Sequence, residues 1–145
     1  MLLLVVPASV AGSPPSFAVW WSHFSARVQH DIVRINGLCQ KQNGGSDQKL
    51  GACFVRHERG SLKAESSTWE RQVAQISLKQ KQACRKAIRV YRVATRKAAA
   101  ANLRYLDSHR HTALSKISRD LNREPFASLN AQTYRAKARA VRRCG

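Results

Sequence analysis

The 145-residue chain predicts an all-α protein, and three observations carry that expectation. Apolar residues recur every three or four positions over most of the length, the period of a helix face. No glycine or proline interrupts the stretch between Gly60 and Pro125, which leaves room for long helices. Lys and Arg number 26 against 8 Asp and Glu, and this surplus of +18 repels itself and opposes tight packing. Much of the 43% hydrophobic content is alanine, as in the run Ala98, Ala99, Ala100 and Ala101. The expectation is an extended helical protein with one long basic central helix, an aromatic amphipathic N-terminal helix, a short C-terminal helix and no compact independent core.

Residues 1–16 read as an apolar, targeting-like segment. MLLLVVPASVA has Ser9 and Ala11 placed for small-residue cleavage, and it falls short of the about 20 apolar residues that span a bilayer. No basic residue precedes the apolar run, while serines recur and no acid occurs before Asp31. That pattern suits import into an organelle, taken as mitochondrial, with secretion or the periplasm as the alternative.

Ser16 is placed to cap a helix over 17–42. Its face is Phe17, Trp20, Trp21, Phe24, Val28, Ile32, Ile35 and Leu38, which must be buried against something. Asn43, Gly44 and Gly45 end it. Residues 43–66 read as a glycine-containing loop, and a brief strand around Cys53, Phe54 and Val55 stays open. Ser67 and Glu70 have capping-box spacing and start the next helix near Thr68. The region 67–145 is then basic and helical. Its central helix either runs unbroken to Arg119, a rod of roughly 75 Å, or breaks near Asp107 and Ser108. Pro125 suits the first turn of a last helix carrying Phe126, Leu129 and Tyr134.

Charge is concentrated in that second region. Residues 1–63 carry 7 basic and 3 acidic side chains, whereas residues 64–145 carry 19 and 5. No carboxylate occurs from Arg71 to Leu106. Solvated helices usually interleave signs, so a one-sign stretch of this length points to a polyanion. Arg85, Arg89, Arg92 and Arg96 are spaced four, three and four and share a face, flanked by Lys79, Lys81, Lys86 and Lys97. With Arg104, Arg123, Arg139, Arg142 and Arg143 they form the candidate RNA-binding set, since guanidinium forks grip phosphates two-pronged. Tyr91 and Tyr105 are candidates for base stacking or for packing.

The four cysteines, Cys39, Cys53, Cys84 and Cys144, form no C-x-x-C pair. Cys53 and His57 supply one ligand-spaced pair where zinc usually asks for two. Buried free thiols are the expectation, with no metal and no cofactor. Asp107, His109 and His111 lie two apart and do not share a helix face. Neither a phosphate loop nor a nucleophile elbow nor a helical zinc-protease motif is present, so the chain reads as non-enzymatic, with no small-molecule substrate.

The stretch Arg89-Val90-Tyr91-Arg92-Val93-Ala94 resembles the long RNA-embedded helix of ribosomal large-subunit protein twenty, bacterial type. Leu121-Asn122-Arg123-Glu124, followed by Phe126, Ala127 and Leu129, is similar to a C-terminal segment of that family. Ile32-Val33-Arg34-Ile35-Asn36 with Gln42-Asn43-Gly44 also looks like a family segment, although here it precedes the other two. The resemblance implies a structural ribonucleoprotein component that threads basic helices through ribosomal RNA. Phe17, Trp20, Trp21 and Phe24 would then face neighbouring ribosomal proteins, and no segment would span a membrane. Two alternatives stand beside it: an accessory subunit of a large organellar or membrane assembly, and an exported disulfide-containing helical protein that binds acidic surfaces.

Overall fold

Ser16 opens the first helix as its position predicts, its Oγ accepting a hydrogen bond from the Val19 amide. The computed structural model describes residues 16–144, so the targeting-like segment lies outside the described residues except for Ser16. Five helices follow in order: α1 Phe17–Asn43, α2 Asp47–Leu78, α3 Gln82–Ser108, α4 Leu114–Leu121 and α5 Phe126–Cys144. The all-α class holds, with no strand among the described residues.

Helix α1 ends where Gly44 and Gly45 stand. Gly45 takes a φ of +100°, open to glycine at little cost, and a Cβ on Gly44 would come 2.8 Å from the Gln40 carbonyl. Ser46 then caps α2 by accepting from the Lys49 amide. The expected loop over 43–66 is therefore replaced, apart from the short turn, by most of a 32-residue helix. Its glycines mislead for a physical reason. Gly51 is buried where the segment before α4 crosses α2, and a Cβ there would fall 1.8 Å from the Thr112 carbonyl oxygen. It is a spacer inside a helix. Gly60 faces open space.

The single rod is also corrected. The chain turns back at Lys79, Gln80 and Lys81, and no helix starts near Thr68. The run from Ser77 to Gln82 contains one apolar side chain, Leu78, which stays 75% exposed. Folding back at this point lets Trp69, Val73 and Ile76 of α2 pack against Ile88 and Tyr91 of α3. The second break falls at Ser108, where the sequence allowed one. There the Ser108 hydroxyl bonds the carbonyls of Arg104 and Tyr105. Pro125 sits one residue ahead of α5, and its carbonyl accepts from the Leu129 amide.

A core forms that the alanine-rich stripe did not promise. Phe17 and Trp20 from α1, three side chains from α2, Ile88 and Tyr91 from α3, and Ala136 and Ala140 from α5 make one buried cluster. Smaller clusters gather around Ile35 and around Val55, Leu106 and Ile117. The aromatic face of α1 is thus covered from within, with Phe17 fully buried, and Trp21 and Phe24 packed at its margin. Phe17 and Trp20 are taken up by the chain's own core, while Trp21 and Phe24 stay partly exposed. Tyr91 is the polar centre of this core, its phenol oxygen accepting from Trp21 Nε1 at 3.1 Å and Trp69 Nε1 at 3.3 Å. Trp20 Nε1 donates to Gln72 Oε1 at 2.9 Å, so each indole N–H has a partner. Tyr91 therefore packs and is not available to stack on a base. Tyr105 donates to Asp120 and lies against His109 and Phe126.

The free-thiol expectation is overturned: Cys39 bonds Cys53, Cys84 bonds Cys144, and no free cysteine remains. The first pair staples α1 to α2 beside their turn. The second ties the start of α3 to the end of α5, so those two helices run antiparallel. Separations of 14 and 60 residues give no local signature of either bond; the hairpins bring the thiols together.

Two outcomes follow from this packing. Gly60→Ala should raise the unfolding free energy by about 0.5–1 kcal/mol, the helix-propensity difference, while Gly51→Ala should lower it, as read from urea midpoints. Replacing Cys84 and Cys144 with serine should cost about 4 kcal/mol, and replacing Cys39 and Cys53 about 3, because the longer loop gives the unfolded chain more freedom to regain.

Candidate polyanion interface

Helix α3 carries seven Arg and Lys against one Asp, and α5 carries five with no acid. Packing two such helices side by side requires that some cations be neutralised and the rest turned outward. Both happen. Arg92 and Arg96, two of the four arginines expected to act together, are held by Glu70 on α2, Arg92 half-buried and Arg96 with its side chain still 56% exposed. Arg96 donates through Nε at 2.6 Å and through Nη2 at 2.5 Å, and Arg92 through Nη2 at 2.9 Å. Partial burial raises the Glu70 carboxyl, but the hydrogen bonds and positive charge of these two arginines outweigh it and hold the group below the usual carboxylate range. The capping-box glutamate thus pairs with two arginines of α3 instead of capping a helix.

Arg89 lies on the same face as Arg92 and Arg96 but is not drawn to Glu70, and Lys97 lies further round the helix toward α5. With Arg135 and Arg139 of α5 they rim a groove of about 560 Å³ that runs between the two helices. Its floor is Val90, Val93, Ala94 and Ala136, Gln132 completes the wall, and no carboxylate lines it. Among the described residues none of the four cations takes part in an ion pair. Val90 and Val93 stay 44% and 59% exposed. Arg135 was not among the sequence candidates; its four-residue spacing from Arg139 was the available signal.

The remaining candidates divide by position. Lys79, Lys81, Arg85, Lys86, Arg142 and Arg143 gather at the bundle end closed by Cys84 and Cys144. Arg104 and Arg123 lie toward the opposite end of the α3–α5 pair. All are exposed. Asp107 pairs with Arg59 and Arg110, and His109 bonds the Tyr105 carbonyl at 2.7 Å. Among the described residues no group of three His, Cys, Asp or Glu is placed to hold a metal ion. No described helix is long and apolar enough to cross a membrane.

A second cleft, of about 380 Å³, lies between α1, α2 and α3, walled by Phe24, Val28, Leu62, Trp69 and Leu103. Beside it the α1–α2 hairpin collects its carboxylates. Burial, reinforced by the negative charges of Glu65 and Asp31, pushes the Glu58 carboxyl up to about 6. Burial likewise raises Glu65. At the far end of α2, hydrogen bonds from the Ser115 side chain and backbone lower Asp47, tying α2 to the start of α4.

Comparison with protein families, with characterised proteins and with solved structures finds no match to this chain.

The carboxylates set a pH dependence. An acid raised in the folded state binds its proton more tightly there, so Glu58 and Glu65 stabilise the fold below their ordinary range and lose that contribution as pH rises through about 6 for Glu58. Asp47, Glu70 and Asp120 act oppositely, contributing above the ordinary carboxylate range and failing only in stronger acid. Glu58→Gln should therefore raise the melting temperature by about 2–4 °C at neutral pH and by much less near pH 4.5. Thermal melts of both proteins across that range check the difference.

Proposed function

We propose that this chain is a disulfide-stapled, non-catalytic binding protein that engages an anionic macromolecule through the outer face of α3 and α5. The observation that carries this reading is the groove rimmed by Arg89, Lys97, Arg135 and Arg139, four cations that take part in no ion pair among the described residues, with no carboxylate in the lining. Leaving like charges together is unfavourable in the free protein, and an anionic partner relieves it. The basic end around Cys84 and Cys144 extends the same surface. Two bonded cysteine pairs favour an oxidising setting, hence an exported or periplasmic protein, because reducing compartments keep thiols free.

The carboxylate-free run from Arg71 to Leu106 supports a second reading, a structural component of a ribonucleoprotein whose cations contact ribosomal RNA. That reading places the chain in a mitochondrial or other ribosome-containing compartment, and the disulfides weigh against it.

Binding to heparin and to a single-stranded RNA of about 20 nucleotides, followed by fluorescence anisotropy, tests the shared electrostatic claim. With four contacts, RNA affinity should fall about 50-fold between 50 and 200 mM salt. Changing all four rim cations to glutamine should remove most of the binding. The variant Glu70→Gln/Arg92→Gln/Arg96→Gln, which removes the paired triad as a unit, should bind within about twofold of the parent, because none of the three lines the groove. A flat salt response, or a larger loss from the paired triad than from the rim, would overturn the proposal.

A further inference from the structure

The groove between α3 and α5 is charged at its rim and apolar at its floor, and the two features together narrow the partner. Phosphate contacts need only the cations. Sites built for single-stranded nucleic acid add aromatic side chains on which bases stack, and no aromatic side chain lines this groove. Val90 and Val93 are 44% and 59% exposed along the groove, whereas Ile88, Tyr91 and Leu106 on the same helix are buried. An occupant that covers them must offer apolar groups in the middle and negative charge at both edges.

Spacing adds the shape. Arg89 and Lys97 are eight residues apart on α3, about 12 Å along its axis, and Arg135 and Arg139 stand one turn apart on α5. The two helices are antiparallel and fixed at one end by Cys84 and Cys144. Their inner side packs on α1 and α2, and their outer side forms a straight channel between two ridges, the surface into which a further helix packs. A second copy of this chain is a poor occupant, since two chains of +18 would meet through their most basic faces.

We propose that the α3–α5 groove docks an acidic amphipathic helix of a partner protein, with its apolar stripe on Val90 and Val93 and its carboxylates against Arg89, Lys97, Arg135 and Arg139. This rests on the anionic-partner reading above and specifies the class of partner. The recognition is a helix laid in a groove, with apolar side chains at i, i+4 and i+7 as anchors and flanking Glu or Asp supplying register.

The test uses the intact, oxidised chain and a designed helical peptide of about 18 residues with leucines at that spacing and glutamates on both flanks. A control peptide has the same composition with the leucine stripe scrambled. At physiological salt the amphipathic peptide should bind about tenfold tighter than the control. Val90→Ser/Val93→Ser should weaken the amphipathic peptide to the level of the control while leaving RNA and heparin binding unchanged. Because both valines are exposed, the fold should be undisturbed, and the helical circular dichroism of the variant checks this. If the two peptides bind alike, or the valine variant binds the amphipathic peptide as the parent does, the partner class is wrong while the anionic-surface reading stands. RNA or anionic phosphatidylglycerol vesicles binding more tightly than the amphipathic peptide would also overturn the docking proposal. Binding of none of these probes would remove both readings together.

Discussion

The constraint on which the molecule depends is the bond between Cys84 and Cys144, which holds two like-charged helices against each other. Helix α5 meets the core through Ala136 and Ala140, small side chains that permit close approach but bury little apolar area. The surrounding arginines and lysines repel across the same contact. Joining the first turn of α3 to the last residue of α5 prevents that end from opening, and the rings of Tyr105 and Phe126, 5.3 Å apart, close the other end. The outer groove lies between the two helices that this bond joins. Its cations are held at fixed spacing by a covalent bond, so less conformational entropy is lost when a ligand arrives.

The rest of the bundle sorts charge by pairing. Glu70 absorbs Arg92 and Arg96, and Tyr91 serves two indole donors in a cluster with no buried charge. Among the described residues no carboxylate pairs with Arg89, Lys97, Arg135 or Arg139. A helix that looks uniformly basic in sequence therefore has two arginines paired to a neighbouring helix, while among the described residues its other cations take part in no ion pair. This division, more than the total charge, separates a binding surface from a merely soluble one.

Helix α1 was legible almost to the residue, because Ser16, an aromatic stripe and the Gly44–Gly45 stop are all local signals. The start of α5 after Pro125 was legible for the same reason, whereas the break at Ser108 stood in the sequence only as one of two open alternatives. Helix α2 was not. Gly51 looks like a loop residue until the segment before α4 is seen crossing it at backbone distance. The turn at Lys79–Lys81 carries no glycine or proline, and only the advantage of burying Trp69, Val73 and Ile76 against α3 requires it. The cysteine pairs belong to the same class, since a separation of 60 residues says nothing until α3 and α5 are antiparallel. The candidate site was half legible. Its cations were identified by type and spacing, but that Arg92 and Arg96 turn toward Glu70, and that Arg135 completes the rim, follow from the hairpin and not from the periodicity.

Peptide mapping of the unreduced protein, with thiols blocked during unfolding, tests the covalent frame most directly. The account predicts cross-linked fragments joining Cys39 to Cys53 and Cys84 to Cys144, with no blocked thiol. Four blocked cysteines would contradict it. So would a cross-pairing such as Cys39 to Cys144, because α3 and α5 would then lack the clamp that holds their basic faces side by side.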